Sequence, residues 1–339
     1  MPRTLEPMLA TAAKRPPSGE DWAFELKWDG VRALVYGETD AAARVCARRG
    51  DDVSDRYPEL AQLGARLGGR AAILDGEVVA FDEDGAPSFG LLQRRMGLTD
   101  AARIRRRAAE TPVTYVAFDL LWLDGSSLLG EPYEHRRERL AALELDGPSW
   151  QTPRHHLGDG EALLEAVRER GLEGVVAKRL ASPYRPGRRS ADWVKVQNRR
   201  RQELVIGGWM PGEGARRRQV GSLLVGYWDS TPQEAERLGR PQRLVYAGGV
   251  GTGFTQQILE HLTARLAPLD RETSPFEAGW DPQVKYAARA RERGGLRWCE
   301  PELVCEVEFT QWTHEDTLRA AAFKGLRDDK GPREVVRER

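Results

Sequence analysis

Residues 22–36 read WAFELKWDGVRALVY, two apolar strand-like runs joined at Asp29-Gly30. Asp-Gly is a turn-forming pair, and aromatic and β-branched residues on both sides predict strand, turn, strand. Lys27 stands at this junction, where its side chain is expected to enter the space between the two strands and meet a phosphate. An ordinary lysine, with a pKa of about 10.4, carries little free amine at neutral pH. To serve as a nucleophile, Lys27 therefore needs burial or neighbouring cations to lower that value. Lys-x-Asp-Gly alone is also what a surface hairpin would carry, so its reading depends on what accompanies it along the chain.

Outward from this hairpin, the chain alternates apolar strands with amphipathic segments. Residues 1–21, with Pro2, Pro7, Pro16 and Pro17, read as an extended lead-in. Arg44 to Gly50 predicts a strand ending in a basic turn. Leu60, Leu63 and Leu67 space a helix over residues 57–67, and Ala71 to Phe81 reads as a strand pair or bent strand with an internal Asp75-Gly76. Residues 89–107 predict a basic helix, and Thr114 to Leu123 a buried strand carrying Phe118 and Asp119. Helices over 133–145 and 160–170 are followed by strands at Glu173–Lys178 and Asp192–Val196. Beyond a charged, hinge-like Arg199–Gln202 the spacing tightens. Strands are expected at 203–209, 222–228, 243–249 and 303–309, with one helix at 255–266, as in a small five-stranded barrel of the OB type. Pro211–Gly214 and Pro275–Trp280 read as loops, and the tail from Gly331 as polar.

With 339 residues there is room for two domains with sizeable cores. Lysine plus arginine balances aspartate plus glutamate at 52 each, so net charge selects no partner. Local runs say more: Arg103 with Arg105–Arg107, Arg199–Arg201 and Arg216–Arg218 suit a phosphate backbone as well as a solvated face. Cys46, Cys299 and Cys305 form no Cys-x-x-Cys pair, which argues against a zinc site or a disulfide framework and fits a reducing compartment. No apolar run reaches the roughly 18 residues of a membrane span, and no signal-peptide pattern opens the chain. The expectation is a cytoplasmic protein with no membrane partner, acting as a monomer. The five histidines, including His155-His156 and His314, show no metal-ligand spacing and read as surface or loop residues.

Lys27, Lys178 and Lys195 share the first two hundred residues with Glu77 and Glu173, all on apolar strands. A charge in such a strand is costly without a partner. Singly each passes for a surface charge; together they suggest one polyanionic ligand with a divalent metal, lysines on phosphates and glutamates on the ion or on ribose hydroxyls.

The order Lys27-x-Asp29-Gly30, Arg48-Arg49-Gly50, Asp75-Gly76-Glu77, Phe118-Asp119, Glu173 to Lys178 and Trp193-x-Lys195 resembles the motif series of covalent nucleotidyltransferases: ATP-dependent DNA ligases, RNA ligases and capping enzymes. The ending Arg327-x-Asp329-Lys330 resembles the last ligase motif. With Arg56–Leu60 and the Ser182–Gly187 loop, the chain is most similar to the ligase module of bacterial non-homologous end-joining ligases. That resemblance implies an α+β fold: a nucleotidyltransferase (ATP-grasp-like ligase) domain with antiparallel sheets over 1–200, then a C-terminal OB-fold β-barrel domain over 201–339.

It further implies ATP as nucleotide and Mg²⁺ or Mn²⁺ as metal. Lys27 becomes the nucleophile that carries AMP. Glu25 would accept from the adenine amino group and Phe118 would stack on the base, while Arg32 and Glu77 would contact ribose or phosphate. Arg49 would hold a DNA 5′-phosphate, Glu173 and Glu77 the metal, and Lys178 and Lys195 the phosphoryl oxygens. Arg327 and Lys330 would close over pyrophosphate when the second domain rotates. The implied partners are nicked or broken DNA, a Ku-like end-binding protein and a repair polymerase. Two positions depart from the family pattern: Gln197 replaces a second lysine, and Ala321 a proline. Gln197 keeps open an impaired, DNA-end-binding scaffold; an RNA ligase or a capping-type guanylyltransferase is the other alternative. The sequence is compatible with either a free-standing enzyme or a module of a longer one.

Overall fold

The strands on either side of Lys27 do not pair with one another. In the computed structural model, which describes residues 1–38, 41–217, 219–279, 281–286, 290, 294–313 and 315–338, Trp22–Leu26 and Val31–Gly37 enter different sheets. The expected hairpin is thus a crossover, and residues 27–30 bridge two sheets. Gly30 is demanded there: a Cβ would lie 2.3 Å from the carbonyl oxygen of Val78. Arg218, Trp280, His314 and Arg339, each part of a feature noted above, lie outside the described residues.

The chain divides into two compact units, Met1–Asn198 and Arg199–Arg339. In the first, one sheet runs in the order Leu9–Ala13, Arg189–Gln197, Gly174–Arg179, Trp22–Leu26, His156–Leu157. The lead-in expected to be merely extended supplies its edge strand, parallel to Arg189–Gln197, while the other neighbours are antiparallel. The second sheet is built on Arg44–Ala47, Val31–Gly37, Ala72–Val79 and Thr114–Leu123, all antiparallel, with the short Trp150–Gln151 strand parallel to the last. Ala72–Val79 is one continuous strand through Asp75-Gly76, with a register shift there.

Strand alternation sorts the core into layers, because successive side chains point to opposite faces. Ala33, Val35, Leu74 and Val78 pack with Leu60, Leu63, Leu92 and Leu140 on the outer face of the second sheet. Leu34, Tyr36, Ile73, Phe118 and Leu121 join Met8, Tyr184 and Trp193 on its other face, the layer between the sheets. On the far side of the first sheet, Trp22, Phe24, Val175, Ala177 and Val196 pack against Leu164 and Val167 of the Gly160–Glu169 helix. Three expected helices are shorter than their spacing suggested, and the one over 133–145 ends at Ala141. Residues 57–67 form one 3₁₀ turn, Pro58–Leu60, and a single α-helical turn, Leu63–Arg66. The 89–107 segment breaks into Phe89–Gln93 and Ala101–Glu110, with Gly97 left-handed at φ 69° between them.

The second unit is a six-stranded, largely antiparallel sheet in which Arg200–Pro211 lies between Val220–Trp228 and Arg297–Phe309. Leu244–Val250 flanks one side, and Ala322–Leu326 pairs with Arg297–Phe309 on the other. Register shifts at Ile206/Gly208, Val225/Gly226 and Glu306/Val307 bend the long strands. The Gln256–Leu266 helix, capped by the Thr255 hydroxyl, lays Leu259, Leu262 and Leu266 on the core. This curled sheet with the Gln256–Leu266 helix on its core is OB-fold-like. The Pro232–Leu238 helix, with a full Thr231/Glu234 capping box, was not anticipated.

Candidate active site

Three neighbouring strands of the first sheet direct their polar residues to one face. Phe24, Ala177 and Val196 point outward to the helix side, so Glu25 and Lys27, Val176 and Lys178, Trp193 and Lys195 point to the other side. The register brings Val176 opposite both Glu25 and Lys195, and Lys178 opposite Trp193. Across the layer, Arg32 is directly paired with Glu77 on the adjacent strand. These residues line one cleft of about 200 Å³, together with Trp28, Arg48 and Phe118. Seven of the residues anticipated from sequence therefore line it: Glu25, Lys27, Arg32, Glu77, Phe118, Lys178 and Lys195. An eighth, Glu173, is ion-paired to Lys27, whose backbone N–H donates to the Gly174 carbonyl.

One end of the cleft is a charge-dense cluster. Lys27 meets the Glu173 carboxylate through Nζ–Oε1. Burial lowers the Lys195 pKa, and the cations of Lys27, Arg189 and Arg48 lower it further, against Glu173. Burial pushes the Glu77 carboxyl up to about 8; Arg32 and Lys27 oppose this, and the Glu173 charge adds to it. Such a like-charged carboxylate pair is relieved by a cation. Among the described residues no set of three or more His, Cys, Asp or Glu builds a protein-only metal cage. Two carboxylates fit an ion of the magnesium type, which completes its shell with phosphate oxygens and water.

The other end is buried and aromatic. Lys178 is fully buried; burial lowers its pKa, and Glu25, 2.7 Å away, opposes the shift. Its Nζ also donates to the Phe118 carbonyl at 3.2 Å and lies 4.4 Å, 4.5 Å and 4.9 Å from the ring centroids of Phe118, Trp193 and Tyr133. The Arg32 guanidinium sits 4.6 Å over the Phe118 ring and grips Asp75 with two nitrogens, at 2.5 and 2.6 Å. Burial opposes that charge, but Asp75 holds the Arg32 pKa above its ordinary range. Within the cleft, Lys178 thus stands beside Glu25, Phe118 and Trp193.

Arg48 and Arg49 are both exposed, and of the two only Arg48 is in the cleft lining. Arg327 and Lys330 belong to the second unit, where Arg327 is forked onto Asp329 and paired with Glu203. Gln197 ends its strand opposite Gly174. Sequence reasoning passed over Trp28, Trp193, Tyr133 and Arg137, whose aromatic or amphipathic-helix setting signals only core packing. His155, read as a surface residue, is half-buried and accepts from Arg137 Nε at 3.3 Å. All three cysteines are buried and free. No described helix is long and apolar enough to cross a membrane.

A lysine-centred cleft between two sheets, followed by an OB-fold-like unit, defines a covalent nucleotidyltransferase of the ligase class. The family models described as "ATP dependent DNA ligase domain" and "ATP dependent DNA ligase C terminal region" match residues 7–197 and 216–330. The chain belongs to the ATP-dependent DNA ligase family. It is 42% identical over 335 residues to the Mycobacterium tuberculosis multifunctional non-homologous end joining DNA repair protein LigD, covering 98% of this chain and 40% of that one. The crystal structure of the ligase domain of M. tuberculosis LigD is 40% identical, covers 99% of both chains and superposes with a TM-score of 0.53. A mycobacterial DNA ligase D complexed with ATP and MES gives 0.54 at the same identity and coverage. The chain thus spans about two fifths of the length of its full-length mycobacterial relatives.

Proposed function

We propose that this chain seals nicks or ends in DNA through an AMP-lysine intermediate, in repair by non-homologous end joining. The observation that carries the reading is the placement of Lys27, ion-paired to Glu173, in one cleft with Lys195, Glu77 and Glu25. The Lys27 amine, once free of its proton, attacks the α-phosphorus of ATP. An N–P bond forms, the bond to the bridging oxygen breaks, and pyrophosphate leaves. Glu173 orients the amine and stands where its proton is lost. The AMP then passes to the 5′-phosphate of the DNA, restoring free Lys27. Attack by the 3′-hydroxyl on that phosphate makes the phosphodiester and releases AMP.

Lys195 and Arg48 hold charge on the phosphoryl oxygens, where preorganised cations act most strongly. Glu77 and Glu173 would hold Mg²⁺ or Mn²⁺, which supplies charge neutralisation at the phosphates. Phe118 walls the base, and Glu25 accepts from the adenine amino group. Lys178 holds Glu25. Arg49 contacts the DNA 5′-phosphate. Arg327 and Lys330 close over the leaving pyrophosphate as the second domain turns about the junction near 199–202. The end-joining role, with a Ku-like protein and a repair polymerase as partners, is supported by the relatives' description as multifunctional end-joining proteins.

The test is incubation with α-labelled ATP or GTP and Mg²⁺ or Mn²⁺, followed by denaturing electrophoresis and a chase with nicked DNA or nicked RNA. An ATP-specific adduct that requires Lys27 and discharges onto nicked DNA is expected. An adduct persisting in Lys27→Ala, or one discharging only onto RNA, would refute the assignment.

A further inference from the structure

Glu25 is held from behind by a helix that carries none of the family motifs. The carboxylate is 4% exposed, and its cleft-remote partners come from the Tyr133–Ala141 helix. The Tyr133 hydroxyl donates to Glu25 Oε1, and burial pushes the phenol pKa well up, so that it remains a donor. Arg137, one helical turn later and itself 4% exposed, brings Nε to 4.0 Å from the same oxygen. Residues four apart share a helix face, which is why both reach one carboxylate. Arg137 is itself fixed: Nε donates to His155 Nδ1 and Nη2 to the Pro153 carbonyl. The helix is anchored one residue earlier, where Arg136 forks onto Asp119 at 2.8 and 2.9 Å, both side chains fully buried.

An ionised carboxylate accepts at about four lone-pair positions and donates at none. Tyr133 on Oε1 and Lys178 on Oε2 occupy one position on each oxygen, leaving the others for the cleft that Glu25 lines. A purine presents an amino donor at position 6 in adenine and a carbonyl acceptor in guanine. A carboxylate kept as a pure acceptor therefore attracts the first and repels the second.

We propose that Tyr133 and Arg137 are positioning residues that fix Glu25 as an acceptor-only reader of the purine 6-position and so set the preference for ATP over GTP. This rests on the reading above that Glu25 faces the base. Loss of the Tyr133 donor frees Oε1 and lets the carboxylate rotate away from the geometry in which it meets the purine 6-position.

The experiment measures adenylation of the whole chain with α-labelled ATP and GTP across concentration, alongside melting temperatures, for the wild type, Tyr133→Phe, Arg137→Gln and Glu25→Gln. In Tyr133→Phe the KM for ATP is expected to rise about tenfold, as for a lost hydrogen bond to a charged group. The rate at saturating ATP should stay within about twofold, and the ATP-to-GTP ratio of kcat/KM should fall by about the same tenfold factor. Arg137→Gln moves the ratio in the same direction by less. Unchanged ratios in both helix variants, with the ratio lost in Glu25→Gln, would overturn the positioning role while the base reading stands. An unchanged ratio in Glu25→Gln would refute the base reading itself. Equal losses with both nucleotides and a lower saturating rate would reduce Tyr133 and Arg137 to packing and likewise overturn the proposal.

Discussion

Lys27 and Glu173, 146 residues apart in the chain, are ion-paired at the mouth of the strand pair that also joins Lys27 N–H to the Gly174 carbonyl. In the proposed reaction the Lys27 amine has to be aimed at the α-phosphorus, and Glu173 is the carboxylate ion-paired to it. Glu173→Gln keeps the shape and removes the charge. Adenylation should slow by about 10² or more, the usual scale for losing a positioned proton acceptor. Rapid-quench measurement of labelled enzyme at saturating ATP checks this, and a rate within a few-fold of wild type would remove Glu173 from the adenylation machinery.

A second prediction concerns the buried frame behind the aromatic end of the cleft. Asp119 and Arg136 are both completely buried and joined by two hydrogen bonds; Arg136 also donates to the carbonyls of Glu131 and Ser182. Asp119→Ala leaves a buried guanidinium without its counter-charge and should cost about 3–5 kcal/mol. Replacing both residues by apolar ones of similar volume should cost less than Asp119→Ala alone, since the pair repays its own desolvation poorly. Urea denaturation of the single and double variants measures the difference.

Much of this arrangement was legible in the chain because alternation is a local signal. Trp22–Leu26 and Thr114–Leu123 have the bounds their apolar runs predicted, and the glutamates and lysines stand out as charges on those runs. What escaped depended on distant partners. Leu9–Ala13 is weakly apolar and becomes a strand only by pairing with residues about 180 positions away. Nothing within residues 22–36 tells whether the two strands pair or part; the second sheet and the tight approach of Gly30 to Val78 decide it. Tyr133 and Arg137 look like any amphipathic helix face until the helix is docked behind Glu25. The choice between Arg48 and Arg49 turns on one residue of turn geometry.

That choice gives a third prediction. Arg48 lines the cleft and is among the cations that depress Lys195, while Arg49 is not part of the lining. Arg48→Ala should raise the KM for ATP about tenfold, the scale of one charged hydrogen bond. Arg49→Ala should leave that KM within about twofold and weaken nicked-DNA binding instead, with a shallower salt dependence. Adenylation kinetics and gel-shift titrations at two salt concentrations separate the two, and the reverse pattern would exchange their roles.

The fourth prediction is a pH dependence in the second unit. Asp229 follows the Val220–Trp228 strand and faces the residues that lead into Leu244–Val250. Burial opposes its charge, yet hydrogen bonds from the Arg240 and Arg243 side chains and the Arg243 backbone hold its pKa well below the ordinary carboxylate value of 3.8. A depressed acid stabilises the fold above its unfolded pKa, and that stabilisation is lost as pH falls through the folded value. Asp229→Asn should therefore cost about 1 kcal/mol at pH 7, modest because both arginines are largely solvated. The gap between variant and wild type should stay constant down to about pH 4 and narrow below it, since only the wild type takes up a proton there. Denaturant melts from pH 7 to pH 2.5 measure this directly. A gap that widens in acid would mean that Asp229 is not held ionised by its arginines.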